Sequence, residues 1–564
     1  MLDPERQSND IPEDTARLAR RIFRKKNSKG YRYLLLRDRL GVIFEDEAFV
    51  ELFSTQGKPA LSPGMLVMVQ VLAFCEGLSD RQAVDAVASR IDWKYVLGLP
   101  LAYEGFDASV LTEFRARLVE SDEMETLLLE RLLAVCQEEG LVKERGRQRT
   151  DSTHVLSAAR ALRRLELVVE TMSHTLEVLA TAAPQWVQNH LNPLWYDRYG
   201  QELDGWPWPK KDREKETLAL VVGGDGFELL DALYREAQSG QAGTARPNAA
   251  LYQLEAVQTL RQIWVQQYYR EDKQVQWRTL EDSPSPQQRL KSPYDVDARW
   301  ASKGDESWIG YKVHITETCD CDGPHLLTDV QTRPSGEADG EALPSIQENL
   351  AQRKLLPSEQ LVDAGYLTSR MSLRSEQTYD VTLVGQIQGN TSWQARTSPA
   401  YAAANFTIDW ERRRAICPQG KESSYWSREE LRRRYDVVRV RFDEKDCQAC
   451  PVKEQCTKGK ARNLQLSRQE EQQTRLQALR QRQREPDFWD IYKSRAGIEG
   501  SISFGIRTLG LRRTRYFGMA KTHLQHVFIA IAGNLLRLSH WFAGTKRSRT
   551  RKSKLLALKP ELCT

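Results

Sequence analysis

The sequence predicts an α/β core joined to an all-α N-terminal domain and interrupted by two insertions. Apolar residues recur at helical spacing through most of residues 61–137, whereas residues 308–317 alternate apolar and polar side chains as a β-strand does. Two stretches, 156–290 and 386–485, depart from this pattern with loops rich in Trp, Pro and Gly or with clustered cysteines. A chain of 564 residues is long enough for several such units.

Residues 1–140 form the predicted helical N-terminal domain. Pro63 suits the first turn of a helix, and Ser79 followed by Asp80 can cap the next one. The second half of the domain contains GLSDRQAVDAVASRIDWKYVLGLP, which has the length of a DNA-binding helix-turn-helix. A plain helical bundle produces the same pattern, so both interpretations stay open.

The predicted core is assembled from three separated segments. A strand in LVKERGRQRTDSTHV carries Asp151, and a buried strand in QLVDAGY ends at Asp363. Between them WIGYKVHITE predicts a half-buried strand. The segments are 141–155, 291–385 and 486–545, so 156–290 becomes a mainly helical insertion and 386–485 an insertion with a cysteine cluster.

Positive charge is concentrated near the C-terminus. The net charge is only +5, but no acidic residue stands between Glu499 and Glu561. Guanidinium and ammonium groups next to an aromatic ring are suited to phosphate contact, so we predict DNA contacts here. The candidates are Arg507, Arg512, Arg513, Arg515 and Lys521, and 546–564 is a basic tail expected to be disordered without its partner. We expect no membrane segment and a cytoplasmic protein.

Four cysteines crowd into the second insertion. Cys417, Cys447, Cys450 and Cys456 include a CxxC pair, which suits a tetrahedral structural zinc ion. The alternative is four unrelated buried thiols. In the same insertion, Trp393 could stack on a base displaced from DNA, or it could be an ordinary core residue.

Three acidic residues stand in positions suited to chemistry on phosphodiesters. Carboxylates at strand ends can hold the divalent ions that activate water and stabilise a leaving oxygen, and Asp151 and Asp363 fit this pattern. Tyr492, Arg495 and Glu499 would share one helix face. Each aspartate could instead be a cap or turn residue, and the helix could simply carry an exposed Arg–Glu pair.

These motifs resemble those of DDE transposases of bacterial insertion sequences. The pattern Tyr492-x2-Arg495-x3-Glu499 is similar to the signature of the IS-four superfamily, as are the Asp363-Ala-Gly-Tyr motif and QRTDSTHV around Asp151. The segment RAGIEGSISFGIRTLGLRRTRYFGMAKTHLQH most closely resembles the insertion-sequence 1182 group. The family's signature continues with a basic residue seven positions after the Glu, where this chain has Ile506.

The resemblance implies a ribonuclease H-like core in which Asp151, Asp363 and Glu499 bind Mg²⁺ or Mn²⁺. It also implies that Tyr492 and Arg495 contact DNA phosphate, and that a homodimer cleaves the terminal inverted repeats and joins them to target DNA. Two rival hypotheses remain: a nuclease of the same fold that does not join ends, and a non-catalytic zinc-containing DNA-binding regulator.

Overall fold

The computed structural model describes most of the chain. Its described residues are 10–25, 28–53, 60–201, 206, 208–238, 249–272, 274–397, 399–431 and 435–545. The basic tail predicted at 546–564 lies outside them. Within these ranges, no helix combines the length and the apolar character needed to cross a membrane.

The N-terminal region is helical, as predicted. Three of its helices begin at a serine whose side chain accepts a hydrogen bond from a backbone N–H in the first turn. These serines are Ser28, Ser62 and Ser79, and Ser79 also forms a capping box with Gln82. The helices are α1 (Glu13–Ile22), α2 (Lys29–Leu40), α3 (Pro63–Glu76), α4 (Asp80–Ser89), α5 (Ile91–Leu97), α6 (Ser109–Glu120) and α7 (Asp122–Glu138).

The first insertion separates the first core strand from its partner and has its own hydrophobic core. Gly226 lets Trp264 approach, because a Cβ there would lie 2.2 Å from the indole. The elements are β1 (Gln148–Leu156) of the core, then α8 (Arg164–Ala182), α9 (Pro184–His190), α10 (Leu194–Tyr199), α11 (Asp212–Gln238), α12 (Glu255–Gln267) and the hairpin β2 (Tyr268–Glu271) and β3 (Gln274–Trp277).

The chain then completes the central sheet, whose strand order is β4-β5-β1-β7-β8, with β6 also paired to β5. The strands β4, β5, β6 and β1 pair antiparallel, whereas β7 runs parallel to both β1 and β8. The elements are β4 (Arg299–Lys303), β5 (Glu306–Thr318), β6 (Leu327–Pro334), α13 (Asp339–Gln352), β7 (Glu359–Val362), α14 (Ser369–Tyr379) and β8 (Thr382–Gly385).

The prediction that β5 is half buried was wrong for its second half. Every residue from Val313 to Thr318 is buried, because both faces of the sheet are covered there. His314 bonds to Tyr366 on one face, while Glu317 bonds to Ser501 on the other. The alternation of apolar and polar side chains along a strand indicates which face is more apolar. It does not reveal polar side chains that are buried together with their hydrogen-bond partners.

The second insertion contains a three-stranded sheet, β11-β12-β13, over a small hydrophobic core. Its last helix, α18, lies against α14, where Arg475 pairs with Glu376. The elements are α15 (Trp393–Arg396), β9 (Thr407–Asp409), β10 (Arg414–Ile416), β11 (Ser423–Leu431), β12 (Tyr435–Phe442), α16 (Glu444–Gln448), α17 (Lys453–Cys456), β13 (Asn463–Ser467) and α18 (Glu470–Arg482).

The last helices return to the core. They are α19 (Phe488–Tyr492), a 3-10 turn (Lys493–Ala496), α20 (Gly497–Thr508) and α21 (Met519–Phe542). Helix α21 is apolar on nearly all sides because it packs between the sheet and the N-terminal helices. Phe528 stacks on Phe74 of α3, and Asn534 bonds to both backbone groups of Leu327 in β6. The N-terminal helices and the sheet therefore share one hydrophobic core.

Candidate active site

Asp151 lies within the central strand β1. The neighbours Thr150 and Val362 are paired across β1 and β7, so the parallel register brings Asp151 beside Asp363, the residue that follows β7. Burial raises the pKa of Asp151, while the N–H of Ser152 and the guanidinium of Arg495 act to lower it. The sheet register thus brings together two aspartates that are far apart in the sequence.

Asp363 begins a tight turn in which the N–H of Tyr366 donates to the Asp363 carbonyl at 3.0 Å. Gly365 fits this turn because an added Cβ would lie 2.9 Å from the carboxylate of Asp339. Tyr366 is fully buried beneath the turn, and its hydroxyl lies 2.6 Å from Nδ1 of His314. The Asp-Ala-Gly-Tyr motif is therefore held from below by β5.

Glu499 lies in the first turn of α20. The helical run that carries Tyr492, Arg495 and Glu499 contains a 3-10 turn between Tyr492 and Gly497, but the expected side-chain neighbours are still formed. The Arg495 guanidinium lies 5.8 Å from the centre of the Tyr492 ring, and its Nη2 lies 3.6 Å from Oε1 of Glu499.

One guanidinium joins the three acidic residues. Arg495 Nη1 donates to Oδ2 of Asp151 at 3.0 Å, and its Nη2 lies 3.9 Å from Oδ1 of Asp363 as well as 3.6 Å from Glu499. Asp151 and Arg495 are largely buried, whereas Asp363 and Glu499 are 46% and 67% exposed. The site is therefore an open cluster of three carboxylates around one internal cation.

The residues present fit a divalent ion by their chemistry, since carboxylate oxygens are the ligands that Mg²⁺ prefers. Their convergence on one cation supports the same conclusion. Among the residues with described positions, however, no three Asp, Glu, His or Cys side chains are already arranged to hold a metal ion. Arg495 is bonded within the cluster instead, so metal binding would require this guanidinium to move.

Sequence reasoning missed a second charged pair beside the site. Lys312 of β5 lies 2.9 Å from Oδ1 of Asp339, and the Ser152 hydroxyl donates to the same oxygen at 3.0 Å. Burial acts to raise the pKa of Asp339, but Lys312, His314 and Ser152 together lower it, so the net shift is downward. The available signal was weak, because neither residue stands in one of the three acidic motifs.

The predicted DNA contacts occupy different environments. Arg507, Arg513, Arg515 and Lys521 are exposed, whereas Arg512 is half-buried and its Nε donates to Oγ1 of Thr153 at 2.9 Å. Arg515 Nη1 donates to the Leu78 carbonyl at 2.9 Å, and its guanidinium lies 4.6 Å from the centre of the Phe74 ring. Arg515 therefore joins the segment before α21 to the N-terminal helices.

Trp393 is half buried in the second insertion, and it lies outside the hydrophobic clusters found in the described residues. The Lys458 ammonium lies 5.4 Å from the centre of its ring, and the next residue, Gln394, donates to the Cys456 carbonyl. Trp393 is thus a neighbour of the cysteine cluster.

Cys417, Cys447 and Cys456 pack against one hydrophobic cluster, and all four cysteines interact electrostatically. Backbone N–H groups of Lys421 and Arg462 donate to the sulfur atoms of Cys417 and Cys447. Burial raises the pKa of Cys456, and the other three cysteines act in the same direction. The part of the chain that is described nevertheless contains no metal-binding group, so zinc is not supported by this geometry.

His523 and His526, which we interpreted as structural, lie on α21, where His526 is buried and His523 is half-buried. The imidazole Nδ1 atoms lie 3.2 Å and 2.6 Å from the hydroxyl of Thr332 in β6. Burial lowers the pKa of His523 to about 4 and that of His526 to about 3. Both imidazoles are therefore neutral at pH 7.

Two segments match known protein families. Residues 416–539 match the model of a transposase DDE domain, and residues 22–117 match a transposase domain model, DUF772. The first match contains Glu499, the basic residues and the cysteines, but neither Asp151 nor Asp363. No curated protein and no solved structure matches the chain significantly. Two separate parts of the chain, which together make up less than half of it, are therefore similar to transposase domains, and one of these is a DDE domain.

Proposed function

We propose that this chain is the transposase of a bacterial insertion sequence, which binds the terminal inverted repeats of its element and catalyses DNA strand cleavage and strand transfer. One observation carries the proposal: Asp151, Asp363 and Glu499, from three distant parts of the chain, lie around one guanidinium. The matches to two transposase domains support the same assignment.

In this proposal Asp151, Asp363 and Glu499 hold Mg²⁺ or Mn²⁺. When bound, these ions supply an activated water, stabilise the leaving 3′ oxygen, and serve again when the freed 3′-hydroxyl attacks target DNA. The protein contributes the rigid placement of the carboxylates by the register of β1 and β7 and by the packing of α20. No covalent bond forms between protein and DNA.

The basic residues around this site would bind the DNA. Arg495 can exchange its carboxylate partners for a DNA phosphate, and the Tyr492 ring stays beside it. Arg507, Arg513 and Lys521 are exposed and have no acidic residue near them in the sequence, so they are placed to neutralise phosphates. Of the predicted contacts, Arg507 donates to the Ser503 carbonyl within its own helix, whereas Arg512 and Arg515 bond to other elements of the protein, which favours a supporting role for these two.

The finer assignments are also proposals. Strand β1, which carries Asp151, lies beside β7, which is followed by Asp363. This strand order is compatible with a ribonuclease H-like core. We propose membership of the IS-four superfamily and its insertion-sequence 1182 group, action as a homodimer on DNA, and a cytoplasmic location. We also propose that Cys417, Cys447, Cys450 and Cys456 hold a structural zinc ion, on the basis of their spacing.

The proposal is tested with labelled DNA that carries both ends flanking the coding sequence. Wild type should nick and join this DNA in Mg²⁺ or Mn²⁺, Asp151→Asn should do neither, and the matched control Asp231→Asn, on the first insertion, should behave as wild type. Nicking without joined products would indicate the nuclease. DNA binding without cleavage would indicate the regulator.

A further inference from the structure

A buried cluster of charges lies beneath the candidate site, and no role was assigned to its members from the sequence. Glu317 of β5 is 0% exposed, and Arg149 of β1, two residues before Asp151, is 5% exposed. Arg149 Nε donates to Oε1 of Glu317 at 2.7 Å, and Nη1 of Arg537 on α21 donates to Oε2 at 2.8 Å. Burial acts to raise the pKa of Glu317, but Arg537, Arg149 and the hydrogen bond from Ser501 together lower it below its usual value, so the carboxylate is charged at neutral pH.

This cluster holds the segment that carries Glu499 at two points. Arg149 Nη1 donates to the carbonyl of Ser494 at 2.6 Å, and the Ser501 hydroxyl donates to Oε2 of Glu317 at 2.6 Å. Ser494 precedes Glu499 and Ser501 follows it, so the two bonds bracket the acidic residue. The strand that carries Asp151 is thereby tied directly to the helix that carries Glu499.

Gly497 lets the two elements approach this closely. A Cβ at this position would lie 2.0 Å from Nη1 of Arg149, so a side chain would force the helix or the guanidinium to move. The helix therefore rests directly on the Arg149 side chain. Its distance from β1 is fixed by a charged group whose own orientation is fixed by Glu317.

Stability alone is a poor explanation for this arrangement. Removing charges from water costs several kcal/mol per ion, and apolar residues of similar volume often stabilise a protein as well or better. Charge-assisted hydrogen bonds differ from apolar contacts in being short and directional. A network of them is suited to fixing the position of one element relative to another.

We propose that Arg149 and Glu317 are positioning residues that set the place of the Glu499 carboxylate relative to Asp151. They touch neither the DNA nor the reacting atoms. The proposal rests on the proposed function only insofar as Glu499 serves as a metal ligand. Groups that hold a metal ligand in place typically change metal affinity or activity by roughly 10–100-fold when they are removed.

The test compares Glu317→Gln with Asp329→Asn. Asp329 of β6 is an equally buried carboxylate that pairs with Arg353 at 2.7 Å, and its partners Asn349 and Arg353 lie at the C-terminal end of α13. Binding of Mn²⁺ to the full chain without DNA is followed by the EPR signal of the free ion, and unfolding midpoints are measured in urea. Amide hydrogen exchange is measured over residues 494–503.

Glu317→Gln should weaken Mn²⁺ binding by roughly 10–100-fold and speed exchange over residues 494–503. Asp329→Asn should change neither Mn²⁺ binding nor exchange over residues 494–503, even if it lowers the unfolding midpoint as much as Glu317→Gln does. If Glu317→Gln does not fold, Ser501→Ala is used in its place, because it removes one hydrogen bond to Glu317. We expect Ser501→Ala to change Mn²⁺ binding and hydrogen exchange in the same direction but by less. Equal behaviour of the test and control variants in both measurements would overturn the proposal.

The two hypotheses fail in distinguishable ways. Hydrogen exchange requires neither metal nor DNA, so it tests the positioning of the Glu499 segment by itself. A wild-type protein that never nicks DNA would contradict the proposed function while leaving the exchange result valid. Normal nicking and Mn²⁺ binding by Glu317→Gln would contradict the positioning role alone.

Discussion

Replacing Arg495 with Gln should tighten the binding of divalent ions in the absence of DNA. The guanidinium lies within 4 Å of all three carboxylates, so it competes with any metal ion for the same negative charge. Loss of Arg495 would remove this competitor and leave the carboxylates to repel one another. The variant should therefore be less stable than wild type without metal and should gain more stability when metal is added.

The magnitude follows from the contacts. One ion pair at 4 Å is worth about 4 kcal/mol at an effective dielectric constant near 20, before screening by solvent. Asp363 and Glu499 are more than a third exposed, which reduces each of their pairs with Arg495 to ~0.2–1 kcal/mol. The largely buried bond to Asp151 contributes ~1.5–3 kcal/mol. Together the three contacts are worth about 2–5 kcal/mol.

A competitor worth about 2 kcal/mol corresponds to roughly 30-fold in metal affinity. We therefore expect the apparent Kd for Mn²⁺, measured by EPR on the DNA-free protein, to fall by about tenfold or more in Arg495→Gln. The matched control is Arg482→Gln, since Arg482 donates to Asp487 and Glu485 away from the site. Mn²⁺ binding to Arg495→Gln that is equal to or weaker than wild-type binding would refute this reasoning.

Three further predictions concern stability, zinc and DNA. Burial lowers the pKa of both His314 and His526 to about 3, so both are neutral in the folded protein. Below about pH 6.5 they take up a proton only in the unfolded protein. Their contribution to the free energy of unfolding is therefore constant above that pH and decreases as the pH drops. Urea denaturation should show a loss of about 2 kcal/mol per histidine between pH 7 and pH 5, and a flat profile would contradict their burial. If the zinc proposal is correct, purified protein should contain about one zinc ion per chain. The variant Cys447→Ser should lose this ion and unfold at a lower urea concentration. The proposal would be contradicted if all four cysteines of the wild-type protein reacted freely with a thiol reagent. Arg513→Ala should reduce the slope of log binding constant against log salt by about 0.9 if this exposed residue neutralises one phosphate, whereas an unchanged slope would exclude that contact.

The sequence located the residues of the candidate site better than the groups that support them. Asp151, Asp363 and Glu499 were identifiable because each stands in a short motif, and the structure brings all three around Arg495. Glu317 was not identifiable, because its role depends on partners on β1, α20 and α21. Contacts of this kind depend on sheet register and helix packing, which no local pattern records.

The fold shows the same division. The helix start at Pro63 and the helix cap at Ser79 are local features, and both were predicted correctly in position. The pairing of β1 with β5 was not predictable from spacing, because the first insertion lies between these strands. The apolar run in α21 was visible in the sequence, but its place between the N-terminal helices and the sheet depends on tertiary packing.

The central claim is that Asp151, Asp363 and Glu499 form one catalytic site. The most direct test is single-turnover nicking of end DNA by Glu499→Gln, with Glu485→Gln, an exposed acid outside the cluster, as the control. We predict that Glu499→Gln loses about a thousandfold in nicking rate, or ~4 kcal/mol of transition-state stabilisation, while its DNA binding and unfolding midpoint match those of the control. Nicking by Glu499→Gln at the rate of the control would contradict the account.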